Sequence, residues 1–308
     1  MTWTEQLAQS EPGLVRIIEA IEAVGSLPTI PAIAQRAMEL ARDDAASMQE
    51  IASVVSQDQT LAAEVLRTVN SAYYGLRQSV GTLPLALTVL GVREIINILL
   101  SVAIVSAFPE TAPSRLFDRE AFWRACAQRA YATKRLAHAV GLGRYASEAF
   151  LGGLVHDIGL VVLDQYLHDE FTAMLSESEA QGLDLLVAEQ AHLHTSHASV
   201  GAWLAEAWSF PDMLIEAIAF HHRPDQGSWD PPIAALVFLG ELVHDLHAAQ
   251  TSTKQAAQML EDDATWDRLM SLGAPVRRPA SVNELLEKAW AEIDSAPVVR
   301  RETNSATR

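Results

Sequence analysis

The sequence contains a single cysteine, Cys126, among its 308 residues. One thiol excludes an intramolecular disulfide and any zinc site built from several cysteines, and it fits a reducing compartment. Basic residues are also scarce: 22 Lys and Arg stand against 39 Asp and Glu, which gives a net charge of −17. Because such a surface repels phosphate backbones, nucleic acid is an unfavourable partner, despite short basic pairs such as Arg277-Arg278.

Long hydrophobic runs are missing as well. The most apolar stretch, Ile95 to Phe108, has 14 residues and is interrupted by Asn97, Ser101 and Ser106. It is too short to cross a bilayer and is typical of a buried core helix. The first residues, MTWTEQLAQSEPG, lack the basic and apolar regions of a signal peptide. We therefore expect a cytoplasmic protein that does not bind a membrane.

Strand signals are nearly absent, whereas helical periodicity recurs along the chain. The segment from Ser47 to Glu50 has the pattern of a capping box, which opens a helix. Thr82-Leu83-Pro84 has the pattern of another helix start, with proline early in the first turn. The sequence predicts an all-α protein with about a dozen helices.

The polar segment from Pro109 to Glu120 contains two prolines and is predicted to separate two helical parts. We place an N-terminal helical part at residues 14–110 and a second helical part at residues 111–250. A C-terminal helical extension follows at residues 251–295, and the polar residues 296–308 are expected to form a disordered tail. Within the second part, one helix is predicted from Asp184 to Trp208.

Histidine residues concentrate in the second part. His156-Asp157 lies in the apolar stretch GGLVHDIGLVVL, His197 follows 41 residues later, and His221-His222 begins 24 residues after that. Imidazole and carboxylate groups together suit zinc, manganese, iron or nickel, and ligands on separate helices can converge in a bundle. We expect one of His221 and His222 to point inward and the other outward. Five other histidines are expected at the surface: His168, His192, His194, His244 and His247.

The stretch LVHDIGLVVL resembles the HDIG signature of the HD superfamily of helical metal phosphohydrolases. The N-terminal half resembles the HDOD branch, the HD-related output domain, in LPTIPAIAQRAMELARDD, IASVVSQDQTLAAEVLRTVNSAYYG and LPLALTVLGVREIINILLSVAI. The resemblance covers roughly Val24 to His247. It implies a multi-helix bundle like that of the HD superfamily, with an N-terminal helical subdomain, in a bacterial signalling or regulatory protein.

Three positions depart from the pattern of active HD hydrolases. Ala125 stands where the first histidine ligand is expected, Glu241 replaces the final aspartate, and Leu160 replaces a lysine that can contact phosphate. The resemblance then implies no catalytic residues and no cofactor beyond a weakly bound divalent metal. The candidate ligands of this vestigial site are His156, Asp157, His197, His221, His222 and Glu241.

Three interpretations of His156-Asp157 stay open at this point. Asp157 can accept hydrogen bonds in a polar network without a metal, the pair can belong to a weak or structural metal site, or it can serve a hydrolytic centre. The favoured function is a non-catalytic HDOD-type output module. It is expected to bind a protein partner in a signalling pathway or a small regulator such as a nucleotide second messenger. The sequence leaves the oligomeric state open, with a homodimer as one option.

The alternative function is a metal-dependent phosphohydrolase that acts on a nucleotide or a cyclic dinucleotide. A regulator associated with nucleic acid is a third hypothesis, which the acidic composition disfavours.

Overall fold

The computed structural model describes residues 2–24, 27–42, 47–108 and 115–297. Within these ranges the regular structure is helical throughout, which confirms the predicted all-α class, and the helices outnumber the dozen or so expected. The α-helices are α1 Trp3–Ser10, α2 Pro12–Val24, α3 Ala32–Arg42, α4 Met48–Val55, α5 Gln59–Val69, α6 Leu83–Leu90, α7 Val92–Ala107, α8 Arg119–Ala139, α9 Ala146–Val155, α10 Ile158–Tyr166, α11 His168–Gln181, α12 Leu185–Leu193, α13 His197–Ala207, α14 Asp212–Phe220, α15 Ile233–Ala248, α16 Thr253–Glu261, α17 Ala264–Ser271 and α18 Val282–Ser295.

Backbone contacts divide the chain into two compact units. The larger unit combines the residues up to Leu27 with Glu110–Asp294, and the smaller unit is built mainly from Pro28–Pro109. This division differs from the sequence-based boundaries, which assigned residues from 14 onward to the N-terminal part. Helix α2 belongs to the larger unit because it packs against α10 and α13 and buries its apolar face. Residues 109–114 of the predicted boundary and residues 298–308 of the predicted tail lie outside the described ranges.

The smaller unit is organised around α7. Every residue of this helix from Ile95 to Val105 is buried, and α3, α5 and α6 pack against it. The core helix predicted from the apolar stretch is therefore confirmed. Ser47 caps α4 through the expected capping box with Glu50, and Thr82 caps α6.

The larger unit is built on α8, α9 and α15, which pack against one another. Glycines on α9 permit this approach. A Cβ atom on Gly152 would lie 2.9 Å from Cγ2 of Val237, and one on Gly153 would lie 2.9 Å from the Cα of Ala130. Because these side chains are missing, α15 and α8 reach the part of α9 that leads into His156-Asp157.

The single helix predicted from Asp184 to Trp208 is wrong, because α12 ends at Leu193 and α13 begins at His197. His194 adopts a left-handed conformation with φ of 54°, and the side chain of Ser196 caps α13 by accepting from the backbone of Ser199. The break places His197 in the first turn of a helix instead of at its middle.

One segment, Gly143–Tyr166, is long and apolar enough by composition to span a membrane. It is divided among a short 3-10 turn, α9 and α10, and 89% of its most apolar window is buried within the structure. Such burial is typical of a core segment of a globular unit, so this segment is weak evidence for a membrane span.

A carboxylate from α13 fastens α1. Glu206 accepts hydrogen bonds from the backbone N–H groups of Trp3 and Thr4, both at 2.9 Å, and from the hydroxyl of Thr4 at 2.5 Å. These N–H groups lie in the first turn of α1, where the helix supplies no acceptor of its own. Burial raises the pKa of Glu206, but the hydrogen bonds from Thr4 and Trp3 outweigh it and hold the pKa below its ordinary value.

We expect Glu206→Gln to loosen α1 and to lower the free energy of unfolding by about 1 kcal/mol, because an amide removes the charge and leaves one acceptor oxygen. Hydrogen exchange of the amides in α1 measures the effect. Because the pKa of Glu206 is lowered in the folded protein, its ionised carboxylate stabilises the fold fully at pH values above the ordinary pKa of glutamate. This contribution to the free energy of unfolding is lost as the pH falls through the lowered pKa. Glu19→Gln on the exposed side of α2 is the matched control, and equal exchange in the two variants would contradict the docking role.

A second prediction concerns Gly159, where α10 approaches α13 most closely. A Cβ atom there would lie 1.9 Å from the carbonyl oxygen of His197 and 2.9 Å from the backbone nitrogen of Gly201. We expect Gly159→Ala to push α13 away and to cost about 3 kcal/mol or more, at the upper end of overpacking effects. Thermal unfolding measures the loss, with Gly81→Ala as the control because a Cβ atom there meets open space. Equal melting temperatures would show that the two helices are not in tight contact.

Candidate metal centre

The ends of several helices bring the predicted site residues together in the larger unit. His156-Asp157 forms the junction between α9 and α10, His197 is the first residue of α13, and His221-His222 directly follows α14. The side chains of His156 and His221 are fully buried, and that of His197 is 1% exposed. These side chains therefore meet in a space that is largely shielded from solvent.

Asp157 lies at the centre of this group. Its Oδ1 is 3.1 Å from Nε2 of His197 and 3.3 Å from Nε2 of His221, and its Oδ2 is 3.0 Å from Nε2 of His156. Nε2 of His222 lies 3.1 Å from Nε2 of His197. Asp157, His197, His221 and His222 thus offer four ligand atoms that all lie within 4.8 Å of one another. We call these four residues the primary cluster.

The outer nitrogen of each ring fixes the direction of the inner one. Nδ1 lies 2.9 Å from the carbonyl oxygen of Gly153 in His156, and 2.7 Å from that of Ile218 in His221. A carbonyl oxygen only accepts, so each Nδ1 carries a proton and each Nε2 faces Asp157. This Nε2 donates to the carboxylate when the ring is protonated, and it offers a lone pair to a metal ion when the ring is neutral. Within the described residues no hydrogen bond satisfies the buried Nε2 of His156.

His197 is held by a buried carboxylate. Its Nδ1 lies 2.8 Å from Oε1 of Glu189, and its backbone N–H donates to Oε2 of the same residue at 3.0 Å. A carboxylate behind an imidazole sets the tautomer and the orientation of the ring and raises its basicity as a ligand. Glu189 lies eight residues before His197, across the break between α12 and α13, and was not among the site residues predicted from the sequence.

The carboxylates decide the charge state of His197. Burial raises the pKa of Asp157, but the imidazoles of His156, His197 and His221 outweigh it and hold the pKa well below its ordinary value. Burial lowers the pKa of His197, but Glu189 and Asp157 outweigh it and raise the pKa to about 10. A proton on Nε2 of His197 can therefore neutralise Asp157, and a divalent metal would have to displace that proton.

The other two rings of the primary cluster are neutral at pH 7. Burial is the main cause that lowers the pKa of His221. Burial, together with the neighbouring imidazoles of His221 and His197, lowers the pKa of His222 to about 2. Neutral imidazole is the form that binds metals, and a set of imidazoles with one carboxylate suits zinc, manganese, iron or nickel. The residues present therefore fit a divalent metal ion.

The structure differs from two details of the sequence analysis. His221 and His222 were expected to point in opposite directions, but both rings approach His197, at 3.4 Å and 3.1 Å between Nε2 atoms. Among the histidines expected at the surface, His244 is buried, and its Nδ1 lies 2.9 Å from Oδ1 of Asp245.

Glu241 stands apart from the primary cluster. Its Oε1 lies 3.9 Å from Nε2 of His156, and with His156 and Asp157 it forms a second group that could hold a metal ion. We call His156, Asp157 and Glu241 the secondary cluster. The two clusters share Asp157, so the six predicted ligands form two adjoining groups.

The sequence analysis also missed Arg129, which enters the secondary cluster from α8. Its Nη1 lies 3.5 Å from Oδ2 of Asp157, and its Nη2 lies 3.6 Å from Oε1 of Glu241 and 3.4 Å from Oδ1 of Asp245. Burial lowers the pKa of Arg129, but Asp157 and Glu241 outweigh it and raise the pKa above its ordinary value. Arg129 is four residues after Ala125 and thus on the same helix face, which is the signal that could have revealed it.

The sequence matches the HDOD domain family over residues 27–224, which is more than half of the chain. It is also 28% identical over 228 residues to an uncharacterized protein of Treponema pallidum (strain Nichols). That alignment covers 72% of this chain and 41% of the Treponema protein, so the chain spans less than half the length of this relative.

Solved structures share the fold at low identity. An HDOD domain protein of unknown function from Geobacter sulfurreducens aligns with a TM-score of 0.78 and 22% identity, over 92% of this chain and 98% of that chain. A protein of Shewanella amazonensis SB2B, provisionally named a phosphohydrolase, aligns with a TM-score of 0.73 and 22% identity over 94% and 99%. A protein of Marinobacter aquaeolei VT8, provisionally named a signal transduction protein, aligns with a TM-score of 0.63 and 24% identity over 87% and 60%. With the family match and the HDIG-like segment at the centre of the site, the chain belongs to the HDOD domain family.

Proposed function

We propose that this chain is a non-catalytic signalling module in the cytoplasm of a bacterium, with a closed site for one divalent metal ion in its larger unit. The ligands would be Asp157, His197, His221 and His222. The observation that carries the proposal is the convergence of these four residues, in which burial and outer hydrogen bonds direct ligand atoms to one point.

The same arrangement argues against hydrolysis. A hydrolytic metal keeps a coordination position open for water and needs room for a phosphoryl group beside it. Four protein ligands would complete a tetrahedral set, which is typical of structural sites. In addition, Ala125 supplies no ligand, and Leu160 places a buried apolar side chain where a phosphate-binding cation is expected.

A bound metal would act here as a Lewis acid that cross-links its ligands. The protein's own residues would position that cross-link: Asp157 joins α9 to α10, His197 begins α13, and His221-His222 ends α14. Glu189 would hold the ring of His197. We therefore assign the site a role in the stability and shape of the larger unit.

We propose that the module acts through a protein partner in a signalling pathway, with a nucleotide second messenger as its small regulator and a homodimer as its assembly. A recess of about 210 Å³ beside His222 supports a small regulator. Glu11, Gln190, Ser196 and Arg223 line this recess. The guanidinium of Arg223 lies 3.8 Å from the carboxylate of Glu11 and the side chain is 53% exposed, so a phosphate group would reach it by competing with Glu11.

The alternative function is a metal-dependent phosphohydrolase that acts on a nucleotide or a cyclic dinucleotide. The secondary cluster favours it, because two adjoining groups of ligands that share a carboxylate can serve two-metal chemistry. The position of Arg129 between the carboxylates of that cluster argues for the non-catalytic function instead.

We expect the purified protein, equilibrated with Zn²⁺ or Mn²⁺ and then dialysed, to retain about one ion per chain, as a closed set of ligands predicts. His197→Ala and His221→Ala should each abolish retention because each removes a buried ligand. Mass spectrometry of the metal content measures this. His192→Ala is the control, since His192 pairs with Glu177 outside the cluster. Unchanged metal content in His197→Ala would contradict the proposed site.

The same preparations test the lack of catalysis. With added Mn²⁺, we expect no turnover of phosphodiester, nucleotide or cyclic dinucleotide substrates. Turnover that both His156→Ala and Asp157→Ala abolish would replace the proposed function with the phosphohydrolase.

A further inference from the structure

The secondary cluster already contains a positive charge from the chain itself. The guanidinium of Arg129 lies 3.4 to 3.6 Å from the carboxylate oxygens of Asp157, Glu241 and Asp245. The side chains of Arg129 and Glu241 are 17% and 18% exposed, and that of Asp157 is 10% exposed. The side chain of Asp245 is 56% exposed, so Asp157 and Glu241 are the carboxylates whose burial requires a cation beside them.

We propose that Arg129 is a built-in cation that occupies a second divalent-metal subsite, formed by His156, Asp157 and Glu241. By filling this subsite, Arg129 limits the centre to one metal ion. The inference rests on the proposed function, because the primary and secondary clusters share Asp157.

The first argument comes from His156. Its Nδ1 carries the proton that the carbonyl of Gly153 accepts, so the Nε2 of a neutral ring presents a lone pair to the secondary cluster. This Nε2 is buried, and among the described residues its geometry toward the neighbouring carboxylates is not that of a hydrogen bond. Its neighbours are Oδ2 of Asp157 at 3.0 Å and Oε1 of Glu241 at 3.9 Å. A lone pair directed at carboxylate oxygens is the arrangement that a metal ion satisfies.

The second argument comes from the geometry of Arg129. A direct pair between arginine and a carboxylate has N···O distances of about 2.7–2.9 Å and is often bidentate. All three distances around Arg129 are longer, and its Nε is buried without a hydrogen bond in the described structure. The guanidinium therefore neutralises the charge of the carboxylates, but it does not form the short, paired hydrogen bonds of a direct arginine–carboxylate contact.

The third argument comes from helix α8. Ala125 and Arg129 lie on the same face, one turn apart, and alanine leaves the space beside the cluster without a ligand. Cys126, the next residue, belongs to neither group of ligand atoms, although cysteine can bind metals. Arg129 is therefore the residue through which α8 acts on the centre.

The experiment compares metal stoichiometry in three full-length proteins equilibrated with Mn²⁺: the natural chain, Arg129→Ala and Arg129→Lys. We expect about one ion per chain in the natural protein and about two in Arg129→Ala, since adjoining sites can share a bridging carboxylate. Arg129→Lys keeps the positive charge and should stay at about one ion. Arg129→Ala combined with Glu241→Gln should also return to about one ion, which would assign the added ion to the secondary cluster.

The outcomes separate this inference from the proposed function. The inference is overturned if Arg129→Ala binds the same number of metal ions per chain as the natural protein. It is also overturned if Arg129→Lys binds more metal ions per chain than the natural protein. If the natural chain holds no ion while Arg129→Ala gains one that survives His197→Ala, the primary cluster fails and the inference stands. Arg129→Met, which keeps most of the side-chain volume, provides the same measurement if Arg129→Ala does not fold.

Discussion

The buried carboxylate of Asp157 requires compensation, and the surrounding helices are arranged to provide it. An ionised carboxylate away from water is costly unless donors or cations surround it. Imidazoles from His156, His197 and His221 approach its two oxygens, and Arg129 approaches from the remaining side. These groups come from α8 and from the ends of α9, α13 and α14. A change in any of these helices would therefore change the electrostatic environment of one carboxylate.

Glycines make this convergence sterically possible. Gly152 and Gly153 allow α15 and α8 to contact the backbone of α9, and Gly159 brings α10 against the first turn of α13. The approach at Gly159 involves the carbonyl oxygen of His197 itself, so the same contact that packs two helices also sets the position of a candidate ligand. Packing and ligand placement are thus one constraint in this unit.

Local patterns in the sequence were enough to predict much of the fold and part of the candidate site. The capping box at Ser47, the apolar stretch of α7 and the His-Asp pair depend on neighbouring residues, and the structure has them where the pattern places them. The break before His197 depends on the left-handed conformation of His194, which periodicity alone does not reveal. Arg129, Glu189 and the inward orientation of His222 depend on contacts between different helices, which a pattern within one helix does not reveal. Ligand types were therefore predictable, whereas the groups that hold and neutralise them were not.

The contact between Glu206 and the first turn of α1 has a consequence for the order in which the protein can fold. The partners Thr4 and Glu206 are 202 residues apart, and Pro28–Pro109 forms a unit of its own between them. During synthesis from the N-terminus, α1 and α2 emerge early, but their docking surface on α13 is translated last among the three. The smaller unit can complete its own local contacts in that interval, whereas the larger unit can close only after α13 has left the ribosome. Helix α1 must therefore remain without its partner on α13 until the residues that separate Thr4 from Glu206, 202 positions further along the chain, have been made.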